Sequence, residues 1–173
     1  MEKGRGEFLY EKELRALSMA KINYVVCGGA AVVMFGFARL TVDLDLIVSL
    51  ERENLSKLYD TLSDLGYRTR IPIKKSGFIQ KEILAKLAEE KNMKVVSFYD
   101  PKDNFKTIDI GVNLPDIDQI LRGKKFVKAR NFNIPIISID DLIKMKEDLG
   151  RPKDIIDAEN LKKIKQEKNE KGK

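Results

Sequence analysis

Residues 28–48, GGAAVVMFGFARLTVDLDLIV, are the stretch from which the fold is worked out. Asp43 and Asp45 stand one residue apart in an apolar run, a short way behind Gly28 and Gly29. On a strand, residues two apart share a face, so the two carboxylates project side by side while Val42, Leu44 and Leu46 point the other way. Carboxylates are almost never buried without compensation. Two adjacent ones repel until a cation sits between them. Hard divalent cations such as Mg2+ take oxygen ligands and usually arrive with substrate phosphates, which turns a costly arrangement into a useful one.

The glycine pair supplies the other half of such a site. INYVVCGG (22–29) reads as a short buried strand ending in glycines, and AAVVMFGF (30–37) as a helix opening directly after them. Glycines at that junction let a ligand approach the backbone, and the first amides of the helix offer free N–H groups to an anion. The apolar run LIV follows the aspartates, so they lie near the start of their strand, whereas the glycines lie at the end of theirs. Those two ends meet only if the strands run antiparallel. A Rossmann-type sheet, which binds ligands at the carboxyl ends of parallel strands, is thereby excluded, and a mixed sheet is expected. KTIDIGV (106–112) offers a third carboxylate, Asp109, between Ile108 and Ile110 on another apolar strand.

Composition narrows the chemistry. The chain has 173 residues, 43% hydrophobic and 35% charged, which suits a single domain with a proper core. It contains no histidine, so Ser-His and Cys-His nucleophiles, histidine bases and His-ligated zinc are all excluded. The single cysteine, Cys27, rules out an internal disulfide and suits a reducing compartment. The longest apolar run is far short of the ~20 residues of a membrane span, and the charged first residues lack a signal-peptide core, so the expected setting is the cytoplasm, away from membranes. The last thirteen residues carry +4 of the +6 net charge and read as a basic, flexible tail over 162–173, or alternatively as a gatherer of RNA phosphates. Abundant Lys, Glu and Ile would suit a heat-adapted source.

The remaining pattern alternates helices and strands. Helices are expected over 7–20, with Phe8, Leu9, Leu14, Leu17 and Met19 inward, and over 51–67, with Leu55, Leu58, Leu62 and Leu65 on one face. Further helices are expected over 77–92, after the cap Ser138, and from Pro152. Strands are expected over 42–50, 68–73, 93–100 and 106–113, with a hairpin through Asn131. The class is α+β, one domain over 1–161 with its core at 22–112 and C-terminal helices at 138–161.

These residues resemble the nucleotidyltransferase superfamily whose best-known member is DNA polymerase beta. Its signature is Gly-Gly or Gly-Ser after an apolar residue, then Asp-apolar-Asp-apolar, then a third aspartate on a later strand. The matching positions are Cys27-Gly28-Gly29, Asp43-Leu44-Asp45-Leu46 and Asp109. The string Gly36, Arg39, Thr41, Asp43, Asp45, with a C-terminal run from Asp141 to Leu161 that includes Lys146, Arg151, Lys153, Asp154 and Asp157, is similar to small prokaryotic members, the minimal nucleotidyltransferases and the AbiEii-type toxins. The resemblance implies transfer of a nucleoside monophosphate from an NTP to an acceptor hydroxyl with release of pyrophosphate. It implies Mg2+ as cofactor, two ions or Mn2+ in its place, held by Asp43, Asp45 and Asp109, with Asp109 drawing the acceptor proton. It also implies nucleotide binding by Gly28, Gly29, Arg39, Thr41, Lys146, Arg151 and Lys153. The acceptor stays open among tRNA, a protein hydroxyl and a small molecule. A cognate antitoxin is a possible partner, and oligomeric state is not written in the chain.

Each residue also has a plainer role available. Arg39 can serve as a salt-bridge residue, Lys146 and Arg151 as solvated helix-end cations, and Asp154 and Asp157 as their structural partners. A glycosyltransferase Asp-x-Asp lacks the upstream glycine pair at this distance. A haloacid-dehalogenase-type phosphatase needs threonine where Ile47 stands. A catalytically silent nucleotide-binding or toxin–antitoxin interaction module on the same scaffold is the reading from a different class.

Overall fold

The computed structural model describes residues 9–171. Its elements run α1 Glu11–Met19, β1 Tyr24–Cys27, α2 Gly28–Phe35, β2 Leu44–Val48, α3 Arg52–Asp64, β3 Arg68–Thr69, α4 Lys75–Phe78, α5 Lys81–Glu90, β4 Val95–Asp100, β5 Asp103–Gly111, α6 Ile117–Arg122, β6 Lys125–Ala129, β7 Phe132–Ile136, α7 Ile139–Leu149 and α8 Pro152–Lys171. The strands form one seven-stranded sheet in the order β3-β4-β5-β2-β1-β7-β6. β1 runs antiparallel to β2, while β2–β5 and β1–β7 are parallel. The sheet is therefore mixed, as the polarity of the glycine and aspartate segments required.

Alternation sorts the sheet into two faces. Tyr24, Val26, Leu44, Leu46, Val48, Val96, Phe98, Ile108 and Ile110 share one face and are all buried. Tyr59 of α3 and Phe78 of α4 pack on Phe98 there, with ring centroids 5.4–6.0 Å apart in tilted and edge-on pairs. The other face carries Asp45 and Asp109. α2 covers it over β1 and β2, and α7 and α8 pack behind α2.

Three local expectations are revised. Residues 7 and 8 of the first helix lie outside the described residues, and within it Leu14 and Leu17 are buried while Leu9 and Met19 are exposed. Glu13 goes inward instead, held by Lys106 at 2.9 Å and by the Tyr67 hydroxyl at 2.9 Å. The helix expected over 77–92 is two helices, because Phe78 is anchored in the aromatic cluster and Gln80 adopts an extended backbone between them. The flexible tail expected from 162 is helical through Lys171. Lys162 and Lys165 reach Glu147 and Asp140 of α7, and Lys168 lies over the Phe35 ring, so tertiary partners order a stretch whose composition alone reads as solvated. Among the described residues, no helix is long and apolar enough to cross a membrane.

Candidate active site

The sheet register sets two of the three aspartates, Asp45 and Asp109, side by side. Asp45 pairs with Cys27 on one side and with Asp109 on the other, and Asp109 pairs with Ser97 of β4. Partners across a ladder share a face, so Cys27, Asp45, Asp109 and Ser97 form one row across four strands. Asp43 lies two residues before Asp45, just ahead of β2, and is exposed. The Tyr10 hydroxyl pins this end of the site. It lies 2.6 Å from the Val42 carbonyl and 3.0 Å from the Thr107 carbonyl, and accepts from the Thr107 amide at 3.0 Å. A single buried ring thus ties the approach of β2 to β5.

The electrostatics of this row are unbalanced. Burial, then the charges of Asp109 and Asp43, push the Asp45 carboxyl up to about 6, although Lys146 and the Gly29 amide pull it down. Burial raises Asp109 as well, and the Asp43 charge adds to it, while the Ser97 hydroxyl and Arg70 oppose the shift. One oxygen of Asp109, Oδ1, is buried with no hydrogen-bond partner. A half-buried group of mutually repelling carboxylates with an orphaned oxygen matches the donor chemistry of a hard divalent cation. Among the described residues, however, no three metal-ligating side chains already stand gathered as one coordination shell.

Gly28 and Gly29 are shaped by this carboxylate. Gly28 has φ +60°, and a Cβ there would lie 1.9 Å from Asp45 Oδ2. Only glycine combines that backbone with that proximity. The Gly29 amide donates to Asp45, so the first turn of α2 is turned towards the carboxylates. A Cβ on Gly29 would meet Thr41 Oγ1 at 2.6 Å and the Arg39 guanidinium carbon at 3.5 Å, which puts both side chains over the same turn.

The other candidate cations occupy a second, balanced cluster. Lys146 of α7 is buried, with Nζ 3.0 Å from Asp154 Oδ1 and 2.9 Å from Asp157 Oδ2 of α8. Asp157 also accepts from Arg39, and Asp154 from Arg151 at 2.5 Å. Burial alone would raise Asp154, but Arg151 and Lys146 outweigh it and hold its carboxyl below the ordinary range. The structural pairing expected for Asp154 and Asp157 is present. Lys146 and Arg151 face these partners first, though both feel the charge of Asp45. Lys153 is exposed on the first turn of α8, outside this cluster.

Residues that the sequence reading passed over complete the surroundings. Tyr10, Ser97, Tyr99 and Arg70 all join the carboxylate face through register or hydrogen bonds, and no motif flags them. Arg70 donates to Thr107 Oγ1 at 3.2 Å and lies over the Tyr99 ring at 5.3 Å. A cavity of about 890 Å³, lined by Ser49, Glu51, Lys81 and Arg122 among others, lies at the opposite end of β2 from Asp45 and contains none of the three aspartates.

No protein-family model matches the chain, and no curated protein matches it by sequence. Solved structures do. The lincosamide antibiotic adenylyltransferase LnuA, bound to lincomycin, superposes over 92% of this chain and 98% of its own, with a TM-score of 0.62 and 17% identity. A putative nucleotidyltransferase from Thermotoga maritima is similar over 93% and 97%, with a TM-score of 0.51 and 17% identity. ANT(2")-Ia, in complex with adenylyl-2"-tobramycin, is similar over 91% of both chains, with a TM-score of 0.52 and 15% identity. At these identities the likeness is one of fold: the chain has the nucleotidyltransferase fold.

Proposed function

We propose that this protein is a metal-dependent nucleotidyltransferase that moves a nucleoside monophosphate from an NTP to an acceptor hydroxyl. The observation that carries the reading is the row Cys27–Asp45–Asp109, with Gly28 folded against Asp45 and a buried Asp109 oxygen left unpartnered. The nucleotidyltransferase fold, shared with the structure of a lincosamide antibiotic adenylyltransferase, supports it.

Asp43, Asp45 and Asp109 are the residues that would hold Mg2+ or Mn2+, which when bound neutralises their repulsion and lowers the pKa of a nearby hydroxyl. Gly28, Gly29 and the following amides of α2 cradle the distal phosphates, with Arg39 and Thr41 placed over the same turn to neutralise and orient them. The acceptor oxygen attacks the α-phosphorus, the bond to the β-phosphate oxygen breaks, and pyrophosphate departs with the charge. Asp109, with its unpartnered oxygen, takes the acceptor proton. Lys146 acts as a buried counter-charge behind Asp45; Arg151 and Lys153 remain candidates for the outer phosphates. The acceptor is a small molecule, an RNA end or a protein hydroxyl. Kinship with AbiEii-type toxins would add a cognate antitoxin.

A thermal-shift screen of the four NTPs with and without Mg2+ tests the proposal. The native state should gain melting temperature with at least one NTP only when Mg2+ is present. No shift with any of them overturns the proposal.

A further inference from the structure

We propose that the acceptor is anionic and phosphate-bearing, and that Arg68 and Arg70, flanking Tyr99, form its binding wall. This rests on the nucleotidyltransferase reading above.

The register extends the aspartate row beyond β5. The Arg70 amide donates to the Ser97 carbonyl at 2.9 Å, so the first row continues from Asp45 through Asp109 and Ser97 to Arg70. One step along the strands, Thr107 pairs with Tyr99 and Tyr99 with Arg68, giving a second row beside it. Both arginines are exposed and Tyr99 is half-buried. Strands lie about 4.8 Å apart, which puts Arg70 roughly 10 Å from Asp109 across the sheet.

The chemistry of transfer says what this face meets. If the distal phosphates lie on the first turn of α2, the leaving group departs on the β1 side of Asp45. An in-line attack then enters from the opposite side, over β5, β4 and β3. The acceptor therefore lies along Thr107, Tyr99, Arg68 and Arg70. A polycation has no counter-charge among the last two, whereas a phosphate has two guanidinium forks. The Arg70 guanidinium already rests on the Tyr99 ring at 5.3 Å and spends one N–H on Thr107, so it is held in place with donors left for a phosphate. A half-buried aromatic ring between two arginines also suits a stacked planar base, the pairing that recurs where single strands are bound.

The test uses the full chain and a fluorescently labelled single-stranded oligoribonucleotide at fixed salt, with anisotropy as the readout. Wild type should bind, and Arg68→Glu/Arg70→Glu should weaken binding by about tenfold or more and flatten its salt dependence. Lys162→Gln/Lys165→Gln on α8 should leave affinity within about twofold of wild type. Competition by an unlabelled nucleoside monophosphate separates the sources: displacement at matching concentration assigns a small phosphate acceptor, and resistance assigns a polynucleotide end. The inference is overturned if wild type binds neither probe, if the α8 lysines carry the affinity, or if the double charge reversal is without effect. In parallel, Arg68→Glu should keep the Mg-NTP thermal shift of wild type. Absence of that shift in wild type itself sinks the nucleotidyltransferase reading, a separate outcome from any loss of acceptor binding.

Discussion

Two groups of aspartates lie on the same side of this sheet, and their environments are opposite. Asp154 and Asp157 are buried in α8, yet Lys146, Arg151 and Arg39 neutralise them. Asp43, Asp45 and Asp109 have no ion pair with a lysine or arginine among the described residues, and the buried Oδ1 of Asp109 has no hydrogen-bond partner. The first group raises no energetic question. In the second, burial and neighbouring carboxylates both penalise the charges of Asp45 and Asp109. Acidic residues that have found their counter-ions hold the fold together; those left without any mark where a ligand must supply the charge.

Substitution should separate the two groups. Asp45→Asn and Asp109→Asn are expected to cut nucleotide transfer by about 10⁴-fold while leaving the apo fold as stable as wild type or more so. Wild-type turnover in either variant would break the comparison at its active end. Lys146→Met should do the reverse, leaving Asp154 and Asp157 buried without compensation at a cost of about 3–5 kcal/mol in chemical denaturation. A melting curve unchanged by that substitution would show that the second cluster is not balanced by Lys146. Gly28→Ala should destabilise by about 1–3 kcal/mol, since the new Cβ meets the Asp45 carboxylate on a backbone with positive φ. It should also weaken Mg-NTP binding in calorimetry.

The pH response sharpens the same contrast. The Asp45 carboxyl is raised to about 6 in the fold, against about 4 in an unfolded chain, so the metal-free native state holds its proton more tightly. Its contribution to stability is present at the acid end and is lost as pH rises through about 6. The melting-temperature advantage of Asp45→Asn over wild type should therefore grow across that window, and saturating Mg-NTP should erase it. Asp154 is shifted the opposite way, so Asp154→Asn should lose stability relative to wild type as pH rises through the ordinary carboxylate range. Smallest of all, Lys165→Ala breaks an exposed pair with Asp140 and should change stability by no more than about 0.5 kcal/mol in the same denaturation assay.

Much of the carboxylate site was legible because its logic is local. Alternation puts Asp43 and Asp45 on one face, and the polarity of their strand against that of Gly28 and Gly29 demands an antiparallel neighbour; β1 and β2 obey it. Asp109 announces itself by interrupting an isoleucine-rich strand, and the structure sets it in register with Asp45. The second cluster was legible only as a tendency of charges to pair. Its buried stripe on α8, at positions 154, 157, 158 and 161, has helical spacing, but two of its four members are aspartates, and an acidic stripe looks solvated until a lysine from another helix is set against it. Arg70, Tyr99 and Tyr10 were invisible for the same reason: each acts through neighbours far away in the chain, Tyr10 across nearly a hundred residues to Thr107.

What the amino-acid sequence determined alone is the mixed α+β sheet and the meeting of the glycine turn with the start of the Asp45 strand, because strand periodicity and strand direction are written in short runs of residues. What only the tertiary structure decided is which charges are cancelled. α7 and α8 deliver Lys146 to Asp154 and Asp157 and draw Arg39 to Asp157, while β3 and β4 bring Arg68, Arg70 and Tyr99 alongside Asp109. Ion pairing depends on distances between elements, and those distances exist only once the helices have packed on the sheet.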